Sequence, residues 1–256
     1  MDKDNVFKSC NFYLDDGDVV HVLIKDFVGD SLSISLNDND GTQEDDTEIT
    51  PYGELYTGIY GSLYNRYAAI DVRNIANTGW HIPTATEYLT LATYLGGGLS
   101  QGGKLKEIGF THWTSPNTGA TNEVGFNGRG AGYRLNNGTF WDITKRLSLG
   151  TSSLYFGSWD VPILTYDTTN FNYQTSTNFN SGVSIRLIKD DSVEAQYTSN
   201  DGKVYDYIKT GDQVWLACNL AETKYRNGDL IPKVTDNAAW AALTTAGMCY
   251  YNNVEV

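Results

Sequence analysis

Only one stretch of this chain carries a sustained helical period, and the residues around it are broken repeatedly by glycine and turn formers. Pro83 fixes the entry, Thr84 can cap, and Glu87 stands three residues later, as a capping box requires. Tyr88, Leu91, Ala92 and Leu95 then fall at i, i+3, i+4 and i+7, which gives one apolar face. Gly96-Gly97-Gly98 stops the helix. A second, shorter helix is expected at about residues 237–244, with Asp236 as cap and Trp240 and Leu243 buried. The 26 glycines and 18 tyrosines, with no Leu-rich heptads, call for short strands and many loops elsewhere. The expected class is therefore α+β, with small twisted antiparallel sheets, two short helices and long loops.

Strand signals are short. Val19-Val20-His21-Val22-Leu23-Ile24 is β-rich, and Asp15-Asp16-Gly17-Asp18 before it has hairpin-turn chemistry. Ser31 to Leu36 alternates polar and apolar residues with period 2. Residues 37–50 are acidic and read as a linker or exposed loop. Val183 to Ile188 and Val204 to Ile208 each alternate like a strand, and residues 190–201 between them are polar, with a turn signal at Asn200-Asp201-Gly202.

The chain is long enough for one large or two small domains, and its 40% hydrophobic content can fill a core. A net charge of −13 argues against a nucleic-acid partner, because a phosphate backbone needs a basic face. No apolar run approaches the ~18 residues of a membrane span. The start, Met1-Asp2-Lys3-Asp4, lacks the basic and apolar regions of a secretory signal, which favours assembly in a cytoplasm. Cys10, Cys218 and Cys249 make a poor disulfide framework, and they read as small buried hydrophobes.

Candidate chemistry is sparse. His21, His81 and His112 show no metal-ligand spacing, and the last two read as structural histidines bonding local backbone. The run Gly125 to Arg134 is no phosphate cradle, because no helix follows it. Asn37 to Gly41 is acidic but out of register for a calcium loop. The best binding candidate is the aromatic and amide-rich segment 147–182. Within it Tyr155, Trp159, Asp160, Tyr166, Asn170, Phe171, Tyr173 and Asn178 are the expected ligand-facing residues, since rings give area at low entropy cost and amides adapt. No cofactor, metal or catalytic residue is expected.

Several motifs carry a resemblance. They are GSLYNRYAA (61–69), GWHIPT (79–84) with Glu87, GGKLKEIGFTHWTSPNTGATNEVGFNGRGAGYR (102–134), GDQVWLACNL (211–220) and TKYRNGDLIPKVTDNAAWAAL (223–243). Over roughly residues 52–253 the chain resembles the Fibrobacter succinogenes major paralogous domain, a relative of C-type-lectin-like and formylglycine-generating-enzyme folds. Residues 1–50 match nothing in that pattern, and 147–180 diverge from it. The resemblance implies a C-type-lectin-like domain whose halves come in permuted order. Residues 51–190 would be the back half, 191–201 a connecting loop and 202–256 the front half, with residues 1–50 a β-rich attachment segment. A tail completing a neighbouring subunit by strand exchange is the competing arrangement. The copper-binding cysteine pair of the formylglycine-generating enzymes has no counterpart here, since Cys218 and Cys249 lie in the wrong half.

The resulting expectation is a non-enzymatic phage virion protein of the capsid or tail, a decoration or fibre-type component. It would attach to other virion proteins through residues 1–50, form a homo-oligomer, and display its lectin-like domain toward a host glycan or receptor. The alternatives are a bacterial cell-surface adhesin or polysaccharide-binding module, an architectural decoration protein without a ligand, and an oxidase related to formylglycine-generating enzymes.

Overall fold

The computed structural model describes residues 58–255 in full and, before them, the backbone of three strands between residues 9 and 35. The chain divides into two compact units, Met1–Thr50 and Pro51–Val256. In the first unit, Ser9–Tyr13, Val19–Val28 and Ser31–Ser35 form an antiparallel sheet in sequence order. Its register runs Tyr13↔Val19 and Val28↔Ser31, with an irregularity between Ile24 and Phe27. The expected strand at 19–24 is present and runs on to Val28; that expected at 31–36 is present over Ser31–Ser35, and residue 36 lies outside the described residues. The expected turn at 15–18 and the acidic loop at 37–50 lie outside the described residues.

The second unit is built from small sheets with few helices, an α+β arrangement. The main helix, α2 in a chain order that starts with α1 (Arg66–Ala69), spans Ala85–Tyr94. Its capping box is complete: Glu87 N–H donates to Thr84 Oγ1 at 3.2 Å, and Thr84 N–H to Glu87 Oε2 at 2.7 Å. Tyr88, Leu91, Ala92 and Leu95 are all buried. Helix α1 was not foreseen. It is four residues long and held by its cap, with Ala68 N–H donating to Asn65 Oδ1. Helix α3 (Asn237–Ala241) is capped by Asp236 as expected, but ends before residue 244.

The largest sheet runs Asn172–Ser176, Ser158–Thr165, Arg146–Ser148, Ala131–Arg134, Phe140–Ile143, with Leu154–Tyr155 paired to the start of the long strand. A second sheet runs Tyr207–Thr210, Gln213–Leu216, Ile188–Lys189, Trp80–His81. A third runs Val183–Ser184, Leu63–Tyr64, Met248–Cys249, and Tyr197–Thr198 pairs with Val204–Tyr205. Two single strands read from sequence are thus divided between sheets. Residues 183–188 leave one sheet after Ser184 and enter another at Ile188. Ile185, Arg186 and Leu187 between them are all buried, so alternation there does not mark one wet and one dry face. Residues 204–208 break at Asp206, after which Tyr207 turns to pair with Leu216.

The tail enters the sheets of the middle. Trp215 pairs with Ile188, Met248 with Tyr64 and Cys249 with Leu63. One apolar core joins Tyr64, Trp80, Ile82 and Ile185 to Val214, Leu216, Leu220, Tyr225, Ile231 and Met248. Two buried arginines tie the same halves. Arg134 donates to the carbonyls of Gly138, Val234 and Thr235 and to Asn237 Oδ1, with Phe140 and Trp240 rings 4.7 and 4.3 Å from its guanidinium carbon. Arg186 donates to the Phe126 carbonyl and to Asn219 Oδ1, with the Phe126 ring 4.0 Å away. Neither has a carboxylate partner among the described ion pairs, so backbone oxygens and ring faces carry the solvation that water would provide.

Arg134→Ala removes the donor to one buried and two part-buried carbonyls and empties the space between two rings. The expected loss is on the order of 3 kcal/mol, read as a lower urea midpoint with an unchanged slope. A chain ending at residue 201 loses the strands paired to 63–64 and 188–189 and is expected to show no cooperative unfolding by near-ultraviolet circular dichroism.

Candidate functional site

The structure separates the eight ligand-facing candidates. Trp159 and Phe171 are fully buried and belong to the core, which corrects the expectation that they face a ligand. Trp159 Nε1–H donates to Thr151 O at 2.8 Å, and Phe171 packs against Tyr88. Asp160 is also buried, and burial raises its carboxyl above the ordinary range. Tyr166 and Tyr173 are half-buried against the core, with Tyr173 Oη–H donating to Ala85 O at 3.2 Å. Tyr155, Asn170 and Asn178 are exposed. The long strand 158–165 is covered on both faces, which removes the inward half of the set from any ligand.

What remains exposed in this segment is a hairpin tip. Tyr155 pairs with Ser158 and Leu154 with Trp159, leaving Phe156-Gly157 as a two-residue turn. Both turn residues have positive φ, +46° and +80°, the type I′ geometry that twists with the strands. Asparagine is the usual first residue of such a turn. Phenylalanine there costs roughly 1–2 kcal/mol, because its Cβ crowds the following carbonyl. Phe156 is nonetheless 91% exposed and Tyr155 57% exposed, with their rings edge to face at 4.6 Å. Leu154 beside them is half-exposed.

The base of the hairpin is fixed. Ala85 N–H, at the start of α2, donates to Ser153 Oγ at 3.0 Å, and Arg66 of α1 donates to Ser153 O at 3.2 Å. Thr151 Oγ1–H donates to Asp160 O at 2.6 Å. A strained aromatic tip on an anchored base presents apolar area without first having to order itself.

The profile of a family described as Fibrobacter succinogenes major domain matches residues 26–189, well over half of the chain. This chain belongs to that family. No curated protein and no solved structure matches it. The match starts inside the N-terminal segment expected to lie outside the family, and it stops before the tail. The family assignment therefore takes in residues 26–50 and does not carry the resemblance proposed for 202–253.

In this Fibrobacter succinogenes major domain, the long motif 102–134 is engaged in packing and turns. Gly103 lies so close to Gly119 that an added Cβ would meet its carbonyl oxygen at 2.2 Å. Lys106 is buried, and its Nζ donates to Thr165 O and Thr168 O at 2.9 and 3.0 Å; burial pushes its pKa down to about 8. His112 contacts Glu107 at 2.6 Å, and Arg129 holds the other oxygen of that carboxylate at 2.7 Å. Asn122 and Asn127 bond each other across a turn. No group of three potential metal ligands is found among the described residues.

The titratable groups act as fasteners. His81 bonds two carboxylates, Asp190 at 2.6 Å through Nδ1 and Glu87 at 2.9 Å through Nε2, and not the local backbone expected from sequence. It thereby joins the start of α2 to the end of the strand 188–189. The Glu87 contact, and less strongly Asp190, raises the His81 pKa against the opposing effect of burial. Burial opposes ionisation of Glu87 too, but bonds from His81 and Thr84 hold its pKa below the usual carboxylate value. In the tail, burial pushes the Glu222 carboxyl up to about 7, although Lys224, Asn200 and Thr223 N–H groups donate to it. Cys218 and Cys249 are not joined in a disulfide, and burial raises both pKa values.

Trp141 is an exposed aromatic outside the segment 147–182. It sits opposite Tyr133, whose ring lies 4.6 Å from the Arg146 guanidinium carbon. Phe156 stood in the aromatic segment but outside the ligand-facing set. The usable signal was Tyr155-Phe156-Gly157-Ser158, an X-Gly pair between two β-rich runs.

These shifts fix the pH response. His81 is raised, so its contribution is whole below its ordinary value and is lost as pH rises through the folded value. Glu222 works in the same sense, its contribution falling as pH climbs from the ordinary carboxylate value to about 7. Glu87 and Asp201 are depressed, so theirs is lost as pH falls below the ordinary carboxylate range. Stability should peak between about pH 4.5 and pH 6.5. Urea titrations across pH check this, and Glu222→Gln should flatten the decline toward neutral pH.

Proposed function

We propose that this chain is a non-enzymatic recognition module, displayed on a phage virion, that touches a host-surface partner through the aromatic tip Leu154-Tyr155-Phe156. The observation that carries the reading is Phe156, an almost fully exposed ring held in a backbone conformation that disfavours it. A folded protein gains nothing from that arrangement in isolation, and strain of this kind gathers where a surface is used. Tyrosine and phenylalanine on a rigid turn suit both sugar faces and apolar receptor pockets.

The C-type-lectin-like fold and the permuted order of halves belong to the same reading. They are supported by the pairing of residues 213–216 and 248–249 with strands of the middle, and by the short connection through residues 190–201. Joining two neighbouring strands and opening the domain elsewhere is tolerated at surface loops. The non-enzymatic part is supported by the engagement of His81 and His112 with carboxylates. Residues 1–50 are the proposed attachment to other virion proteins.

Phe156→Asn separates recognition from folding. It should raise the unfolding free energy by roughly 1 kcal/mol, because asparagine tolerates the left-handed turn. It should also weaken binding of the labelled full chain to intact host cells at least about tenfold, as loss of an anchor ring does. Equal cell binding by the variant and the native protein would contradict the proposed tip. Mass spectrometry of purified particles tests the setting: a stoichiometric copy number agrees with it, and a lipid-anchored form in a bacterial envelope does not.

A further inference from the structure

Two carboxylates are buried among the described residues, Asp160 and Glu222, and they are treated differently by the fold. Glu222 accepts N–H bonds from Asn200, Thr223 and Lys224. The Asp160 carboxylate accepts no hydrogen bond and has no ion-pair partner among the described residues; only its backbone is engaged, in the sheet and by Thr151 Oγ1–H at 2.6 Å. We infer that Asp160 is the charged anchor of the surface beside the aromatic tip, and that it takes the ammonium or guanidinium group of a basic side chain on a partner protein. The inference rests on reading the chain as a recognition module that uses that tip.

Asp160 stands at the hairpin end of the long strand, where the cover thins. Tyr155 is directly opposite Ser158, Asp160 follows two residues on, and Thr175 is directly opposite Asp160. Residues paired across strands share a face, as do residues two apart, so Tyr155, Ser158, Asp160 and Thr175 line one face of the sheet. Tyr155 and Thr175 are exposed and Ser158 is half-buried. Asp160 itself keeps 8% of its surface in solvent, and neither carboxylate oxygen is fully enclosed. A ligand can therefore touch it, unlike the enclosed polar atoms of the core. Tyr173, opposite Pro162, flanks the same face, and its hydroxyl is raised by burial and then by the Asp160 charge.

A carboxylate withdrawn from water without a counter-charge is costly to the fold, and a cation that arrives from outside relieves that cost. Burial alone raises the Asp160 carboxyl, with no cation among the described residues offsetting it. The small opening suits a charged group carried on a slender stem better than a pyranose ring. The stem of a lysine or arginine can lie along the exposed Tyr155 ring, whose face also attracts the cation. The hydroxyls of Ser158 and Thr175 have no protein partner among the described residues, so they can accept the remaining N–H groups of an ammonium or guanidinium. The net charge of −13 draws a basic partner toward the chain and repels an acidic one.

Nuclear magnetic resonance titration of the full chain tests this with Nα-acetyl-lysinamide and Nα-acetyl-argininamide, against the neutral Nα-acetyl-norleucinamide and maltotriose. At least one cationic probe should shift the amides of Tyr155, Asp160 and Thr175, less so as salt is added, and neither neutral probe should. Asp160→Asn should weaken that binding about tenfold or more. Its unfolding midpoint at pH 7 should be at or above the native one, because an uncompensated charge is removed. Asp212→Asn, the same charge change at an exposed turn, should leave binding as it is. No shift with either cation, equal shifts with norleucinamide, maltotriose bound at Asp160, or binding indifferent to Asp160→Asn would overturn the inference. Host-cell attachment separates it from the reading beneath it. Attachment lost in Phe156→Asn and kept in Asp160→Asn would sink the anchor and spare the tip; attachment lost in Asp160→Asn and kept in Phe156→Asn would do the reverse.

Discussion

Two guanidinium groups buried without carboxylates hold this fold in one piece. Arg134 ends a strand of the middle and Arg186 lies between two, and both receive oxygens from the tail, at Val234, Thr235 and Asn237 for one and Asn219 for the other. A charged group can stay in such a place only if several acceptors surround it, since the cost of leaving water is otherwise several kcal/mol. Gly138 O and Phe126 O come from the middle, and the remaining acceptors exist only when residues 219–237 are docked. The charge of the middle and the backbone of the tail therefore need each other, and the apolar core they share closes around that need.

That mutual dependence shapes the surface. With the tail in place, α2 is pinned through His81 and Gln213, and the turn at Gly211 comes to rest beside Tyr94. At the hairpin base, Arg66 and the first turn of α2 fix Ser153 and so the strands that carry Phe156. The proposed aromatic tip is thus small and rigid, and its supports come from distant parts of the sequence. Rigidity of this kind lowers the entropy lost on contact.

The sequence discloses what is local. Helix α2 is legible to the residue because its cap, apolar face and glycine stop lie within one short stretch. The strands 183–188 and 204–208 are legible as β but not as divided, because the break depends on which partner each half finds. Trp159 and Phe171 look like ligand-facing rings in a segment full of amides. Their burial is decided by α2 and by residues 183–185, which the local pattern does not contain. Arg134 and Arg186 are indistinguishable in sequence from surface arginines, since their acceptors lie up to about a hundred residues away. The tail's pairing with the middle is seen in the sheets, whereas the family match covers only 26–189.

Amide hydrogen exchange on the intact chain tests the central claim, that middle and tail are one cooperative body. The account predicts that amides of Tyr64, Ile188, Trp215 and Met248 open with a common free energy equal to that of global unfolding. Exchange at Trp215 and Met248 through a lower-energy opening, with Tyr64 and Ile188 still protected at the global value, would contradict it.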